Sequence, residues 1–230
     1  MKNTYLAYIM LVLMICLMPL FLVAQSGPLR GSGIMINPIY DFQNFDKINF
    51  LDLADASIRV EIGKKWSIDI QIPENLLPLL KVEKTDDENL LTVALQGNKN
   101  NKLYIENSKI AIVITLPEAS VISSSGNQTV FIGGIVGRYF RAESNGNGDI
   151  TLQGEIDEVD IDQAGNGNIH ARQLEAKVAK VKKVGNGNIY VNSQLSLQAN
   201  GRGNGNVVQL GPGTIHPLSG IIGNGKVFKK

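Results

Sequence analysis

Six glycine-led turns recur through the second half of the chain. They read GNQTVFI from Gly126, GNGDITL from Gly146, GNGNIHA from Gly165, GNGNIYV from Gly185, GNGNVVQ from Gly203 and GNGKVFK from Gly223, at spacings of 20, 19, 20, 18 and 20 residues. A fixed period near 20 marks a solenoid, because one such unit cannot bury its apolar face without neighbours above and below. Within each unit the apolar residues alternate. Val130 and Ile132, Ile150 and Leu152, Ile169 and Ala171, and Ile189 and Val191 follow the turns. Phe140 and Ala142, Val159 and Ile161, Ala179 and Val181, and Leu197 and Ala199 precede them. Ile156, Leu174 and Leu195 supply a third apolar position midway. Period two means strand, so the expected fold is all-β: a parallel β-helix with about 20 residues per coil and Gly-Asn-Gly corners.

The corner composition has a physical cause. Gly and Asn tolerate positive φ better than other residues do. Coils stacked about 4.8 Å apart would also place Asn147, Asn166, Asn186, Asn204 and Asn224 one above another as an amide ladder. The first half is equally strand-rich but lacks the period. SIRVEI (57–62), WSIDIQI (66–72), LLTVAL (90–95) and IAIVITL (110–116) alternate, while PENLLP (73–78) and KTDDEN (84–89) read as turns. Residues 34–122 are therefore expected to form broader, less regular coils or a small antiparallel unit. Residues 123–230 form the regular coils of the same domain.

Residues 1–26 read as a targeting segment. Lys2 gives a short positive start, Tyr5 to Ala24 is almost wholly apolar, and Ala24-Gln25-Ser26 offers a small-residue cleavage site. The alternative is an uncleaved membrane anchor, since about 20 apolar residues can span a bilayer. Cys16, the sole cysteine, lies inside this segment. Once it is cleaved, the exported chain has no disulfide and no thiol chemistry. Export points to the periplasm or the cell surface. A net charge of +1 gives no global field to recruit nucleic acid.

No catalytic constellation is visible. His170 sits at an outward strand position, and His216 precedes Pro217 in a loop; neither lies near a serine motif. The acidic run from Glu155 to Asp162 contains Asp160 and Asp162, both outward. Adjacent coils offer Arg141 and Glu143 before them, and Lys180 and Lys182 after, so this run reads as a charge ladder and not as an acid–base pair. NGNGDITL (145–152) resembles a calcium-binding repeat, but the slots matching Asp149 hold Thr129, Asn168, Asn188, Asn206 and Lys226. No cofactor or metal is expected. One outward column stands out: Phe131, Thr151, His170, Tyr190, Val208 and Phe228, five residues past each corner glycine. Apolar groups in such a column mark either an interaction site or a surface covered by residues 34–122 or by a second subunit. Phe131, His170, Tyr190 and Phe228 are the candidate binding residues.

The order FDKI (45–48), a strand with Trp66 and IDIQI, ENLLP (74–78) and then repeated G-x-G-x-[IV] turns resembles the GIN-domain family over most of residues 40–228. That family is described as adhesin heads of exported bacterial proteins, mainly from the Bacteroidetes. It commonly carries Gly-Ser-Gly at the corner, where this chain has Gly-Asn-Gly. The resemblance implies a β-helical, non-catalytic envelope module that binds or scaffolds, and it transfers no binding residues. A glycan or an envelope protein is the expected class of partner, with homo-oligomers open; a membrane enters only if residues 5–24 stay uncleaved. Two other readings remain: a carbohydrate-active β-helix enzyme, and a membrane-tethered envelope sensor or structural protein.

Overall fold

The computed structural model describes residues 27–230, so both readings of residues 1–26, signal and anchor, lie outside the described residues. Strands Thr129–Gly146, Ile150–Gly165, Ile169–Gly185 and Ile189–Arg202 each make one circuit of a solenoid. Short strands Val207–Gln209, Thr214–Ile215, Gly220–Ile222 and Val227–Lys229 complete the winding. Successive coils pair in parallel with the corner glycines aligned: Gly126 opposes Gly146, Gly146 opposes Gly165, and Gly165 opposes Gly185. The expected inward columns on either side of the corner are buried. Val130, Ile150, Ile169, Ile189 and Val207 form one of them, and Phe140, Val159, Ala179 and Leu197 another. Each buried aliphatic side chain contributes about 1.5–3 kcal/mol.

The corner divides its work between the two residue types more sharply than composition suggests. The leading glycines alone take the left-handed conformation, with φ between 124° and 155° from Gly126 to Gly223; the corner asparagines do not. The second glycine serves a different need. A Cβ on Gly167 would overlap the carbonyl oxygen of Gly148, and one on Gly187 that of Gly167. The asparagines supply hydrogen bonds. Asn147, Asn166, Asn186, Asn204 and Asn224 each donate through Nδ2 to Oδ1 of the asparagine one coil earlier, at 2.8–3.0 Å, starting from Asn127. A second column accepts backbone N–H groups: Asn188 N donates to Asn168 Oδ1, and Asn206 N to Asn188 Oδ1, each at 2.9 Å.

The midway column departs from expectation at one coil. Ile156 and Leu174 are buried, but Leu195 is 63% exposed. The interval from Gly185 to Gly203 is two residues shorter than its neighbours, and the register slips twice before Val178. Ser193 takes the inward place opposite Ala176, and Gln209 Nε2 donates to its carbonyl at 2.9 Å.

The first half continues the same solenoid by a non-sequential route. Ser57–Ile62 lies in parallel between Ala111–Leu116 and the start of Thr129–Gly146. Lys47–Leu51 lies in parallel between Leu90–Leu95 and Val121–Gly126. The outer layer is antiparallel: Ser67–Pro73 on Ala111–Leu116, and Leu80–Thr85 on Leu90–Leu95. Irregular coils and an antiparallel unit thus occur together, the second capping the first. Trp66 Nε1 donates to the carbonyl of Phe45 at 3.1 Å and ties the cap to the coils. One hydrophobic core runs from Phe45 to Val207.

A polar column also faces inward beside the corner. Ser124, Ser144, Gln163 and Lys183 occupy successive coils and are all buried. Two of them cap corner carbonyls: Gln163 Nε2 donates to Gly167 O, and Lys183 Nζ donates to Gly185 O at 2.6 Å. Burial lowers the Lys183 ammonium pKa below its ordinary value of 10.5.

Two stability predictions arise from the corner. Gly165→Ala places a Cβ against Gly146 O at positive φ, and is expected to cost about 2–4 kcal/mol in a denaturant titration. Lys183 binds its proton more weakly folded than unfolded, so the unfolded state carries more protons in the interval below 10.5. Wild type is therefore expected to gain stability relative to Lys183→Met as pH rises through that interval, read as the pH dependence of the difference in unfolding free energy.

Candidate functional site

The outward column exists as a continuous stripe. Phe131 opposes Thr151, Thr151 opposes His170, His170 opposes Tyr190, Tyr190 opposes Val208 and Val208 opposes Phe228. The first half of the chain extends the stripe instead of covering it, with Arg59 opposite Phe131 and Val113 opposite Arg59. Phe131, His170 and Tyr190 are half-buried, Phe228 is exposed, and Val208 is buried.

Alternation aims these side chains outward, and parallel stacking then sets ring against ring. The His170 and Tyr190 rings lie 5.5 Å apart and 7° from parallel. The Arg172 guanidinium sits 3.9 Å from the centre of the Tyr190 ring, and the Arg59 guanidinium 4.3 Å from that of Phe131. Phe131 also packs so closely over Gly133 that a Cβ there would lie 2.9 Å from its ring edge. His170 Nε2 is 3.6 Å from Asp149 Oδ2, beyond hydrogen-bond range. Asp149 Oδ1 accepts from the backbone of Asn168 at 2.7 Å. The stripe therefore combines aromatic rings and an imidazole with two guanidinium groups laid against them. The two arginines, absent from the sequence-level candidate set, were signalled by Arg59 lying on an alternating strand and by Arg172 lying two residues past His170.

The neighbouring face carries the charge ladder in the expected register: Asp160 lies opposite Arg141 and Lys180, and Asp162 opposite Lys182. The ion pairs themselves run diagonally. Arg141 pairs with Asp162 and, at 2.8 Å, with Glu143, while Lys180 pairs with Glu158. Asp160 instead accepts a hydrogen bond from the Tyr139 hydroxyl at 3.0 Å. Burial raises the pKa of that phenol above its ordinary value, and the bond to Asp160 adds to the effect. The reach of a long side chain, and not the strand register alone, selects the partner. At the corner, a groove of about 440 Å³ opens beside the start of the asparagine ladder, between Asp52, Lys99, Asn127 and Asn147.

Residues 44–213 match the family model described as "Putative auto-transporter adhesin, head GIN domain". The chain belongs to the GIN-domain family. A solved structure described as a "putative adhesin" from Bacteroides fragilis is 25% identical, with 88% of this chain and 100% of that one covered at a TM-score of 0.68. A second "putative adhesin", from Parabacteroides distasonis, is 19% identical over 89% of this chain and 100% of the other, with a TM-score of 0.51, and shares the GIN fold. No curated protein matches the chain in sequence.

The ring stack predicts a measurable coupling in this GIN domain. A double-mutant cycle with His170→Ala and Tyr190→Ala is expected to give about 0.5–1.5 kcal/mol of interaction energy in chemical denaturation.

Proposed function

We propose that this chain is a non-catalytic binding module, exported to the cell surface or periplasm, whose contact surface is the outward stripe centred on Tyr190. One observation carries the reading: the stripe is left open along the solenoid, with Phe131, His170, Tyr190 and Phe228 retaining solvent access while the first half lengthens the stripe beneath them. The adhesin description of the family fits such a role. An enzyme reading finds less support, because His170 is turned toward Asp149 and the carboxylates of the ladder are tied to Arg141, Lys180 and Tyr139.

The stacking also narrows the chemistry. His170 and Arg172, both from the preceding coil, lie against the Tyr190 ring, so part of its surface is already engaged. A partner would meet ring edges, the phenol hydroxyl and guanidinium donors. That favours ligands rich in hydrogen-bond acceptors over flat apolar ones. An array of plant and bacterial polysaccharides and envelope proteins tests this. Tyr190→Ala and Arg172→Ala are each expected to weaken capture of whatever the wild type retains by about tenfold, with the thermal midpoint lowered by only about 2–6 °C, so that both variants stay folded at the assay temperature. Retention unaffected by both substitutions would move the contact surface elsewhere.

A further inference from the structure

The two ends of the solenoid differ in charge, and each carries a strand edge that no described residue pairs. Every acidic residue of the chain lies at or before Glu175; the 55 residues after it contain eight lysines and arginines and no acid. The described residues up to Glu175 carry 21 acids against 13 bases. The contrast persists at the tips. The outermost N-terminal layer, residues 35–41 and 67–88, holds seven acids and two bases, and both bases are paired within it, Lys81 with Glu83 and Lys84 with Asp86. The last coil, residues 203–230, holds Lys226, Lys229 and Lys230.

Both tips also present strand edges that no described residue pairs. Leu80–Thr85 bonds only to Leu90–Leu95, and Gly220–Ile222 only to the end of Ile189–Arg202. The ladder of pairings places these two edges on the same face of the solenoid, one at each end. Apolar side chains lie on both edges. Leu80 and Val82 are half-buried on the acidic one, and Ile222 is 82% exposed on the basic one. The asparagine ladder stops at Asn224, whose Nδ2 is used on Asn204.

We propose that a second copy of this chain docks head to tail, its acidic cap on the basic last coil of the first, so that the solenoids join end to end. Leu80–Thr85 of one copy would run antiparallel along Gly220–Ile222 of the next, because it already runs against Leu90–Leu95 while the coils from there to Gly220–Ile222 all pair in parallel. Unlike ends meeting makes the contact heterologous, so it repeats into open chains instead of closing into a two-fold dimer. Two basic tips brought together would repel, which disfavours the symmetric alternative.

Sedimentation velocity on the protein isolated after export tests this. The expected result is a concentration-dependent series of heavier species at low ionic strength that collapses to monomer at about 1 M salt, where the Debye length is about 3 Å. Two surface variants separate the geometries: Lys226→Glu with Lys230→Glu, and Asp87→Lys with Glu88→Lys. Each alone is expected to weaken association by about tenfold, and mixing the two restores it, because each then offers the charge the other lost. Monomers at every concentration, or assembly that neither variant alters, would overturn the proposal. So would a discrete dimer sensitive only to the lysine changes. Binding of the basic tip to phosphatidylglycerol vesicles without self-association would assign that tip to a lipid surface instead.

Discussion

At each corner a glycine carbonyl of one coil fills the space where the next coil's Cβ would stand, and the columns at Gly165 and Gly167 repeat this contact through the stack. Backbone packed this closely on backbone fixes the axial spacing at one point of every coil. Everything else inherits that spacing. The isoleucines fall into column because the corner does, the asparagine amides reach one another because their Cα atoms are one strand apart, and the outward rings stack for the same reason. The hydrophobic core supplies most of the stabilisation, but a strand shifted by two residues still turns its apolar side chains inward. The glycine contacts, which admit no side chain, choose one of them.

This division explains what could be read from sequence. Corners made by residues with a unique conformational role are visible as a period, and the alternation around them gives the coil interior. The winding of the first half is another matter. Ser57–Ile62 inserts between Ala111–Leu116 and Thr129, partners more than 50 residues away, and no local pattern encodes that choice. Leu195 looks inward by counting from its homologous positions, yet a two-residue deletion in its coil hands the place to Ser193. Lys183 follows Ala179 and Val181 in strict alternation and so was legible as inward; its charge argued the other way, and a single carbonyl acceptor was enough to hold it there.

The candidate surface was legible as a column but not as a set of contacts. Period and register place Phe131, His170, Tyr190 and Phe228 in line. That Arg172 and Arg59 would lie over the rings depends on rotamers and on the neighbouring strand from the first half, which the repeat does not describe. The charge ladder teaches the same lesson: Cα partners follow from the period, whereas the diagonal Arg141–Asp162 pair depends on side-chain length.

Strands perpendicular to the solenoid axis set their hydrogen bonds along it. A pull on the C-terminal end therefore loads the rungs one coil at a time, and not all together in shear. Release of one coil adds about 20 residues, close to 70 Å of extended chain, in exchange for about 5 Å of axial height. A head anchored at its other end and loaded in this way would lengthen in steps, absorbing work at each rung while the coils below stay wound.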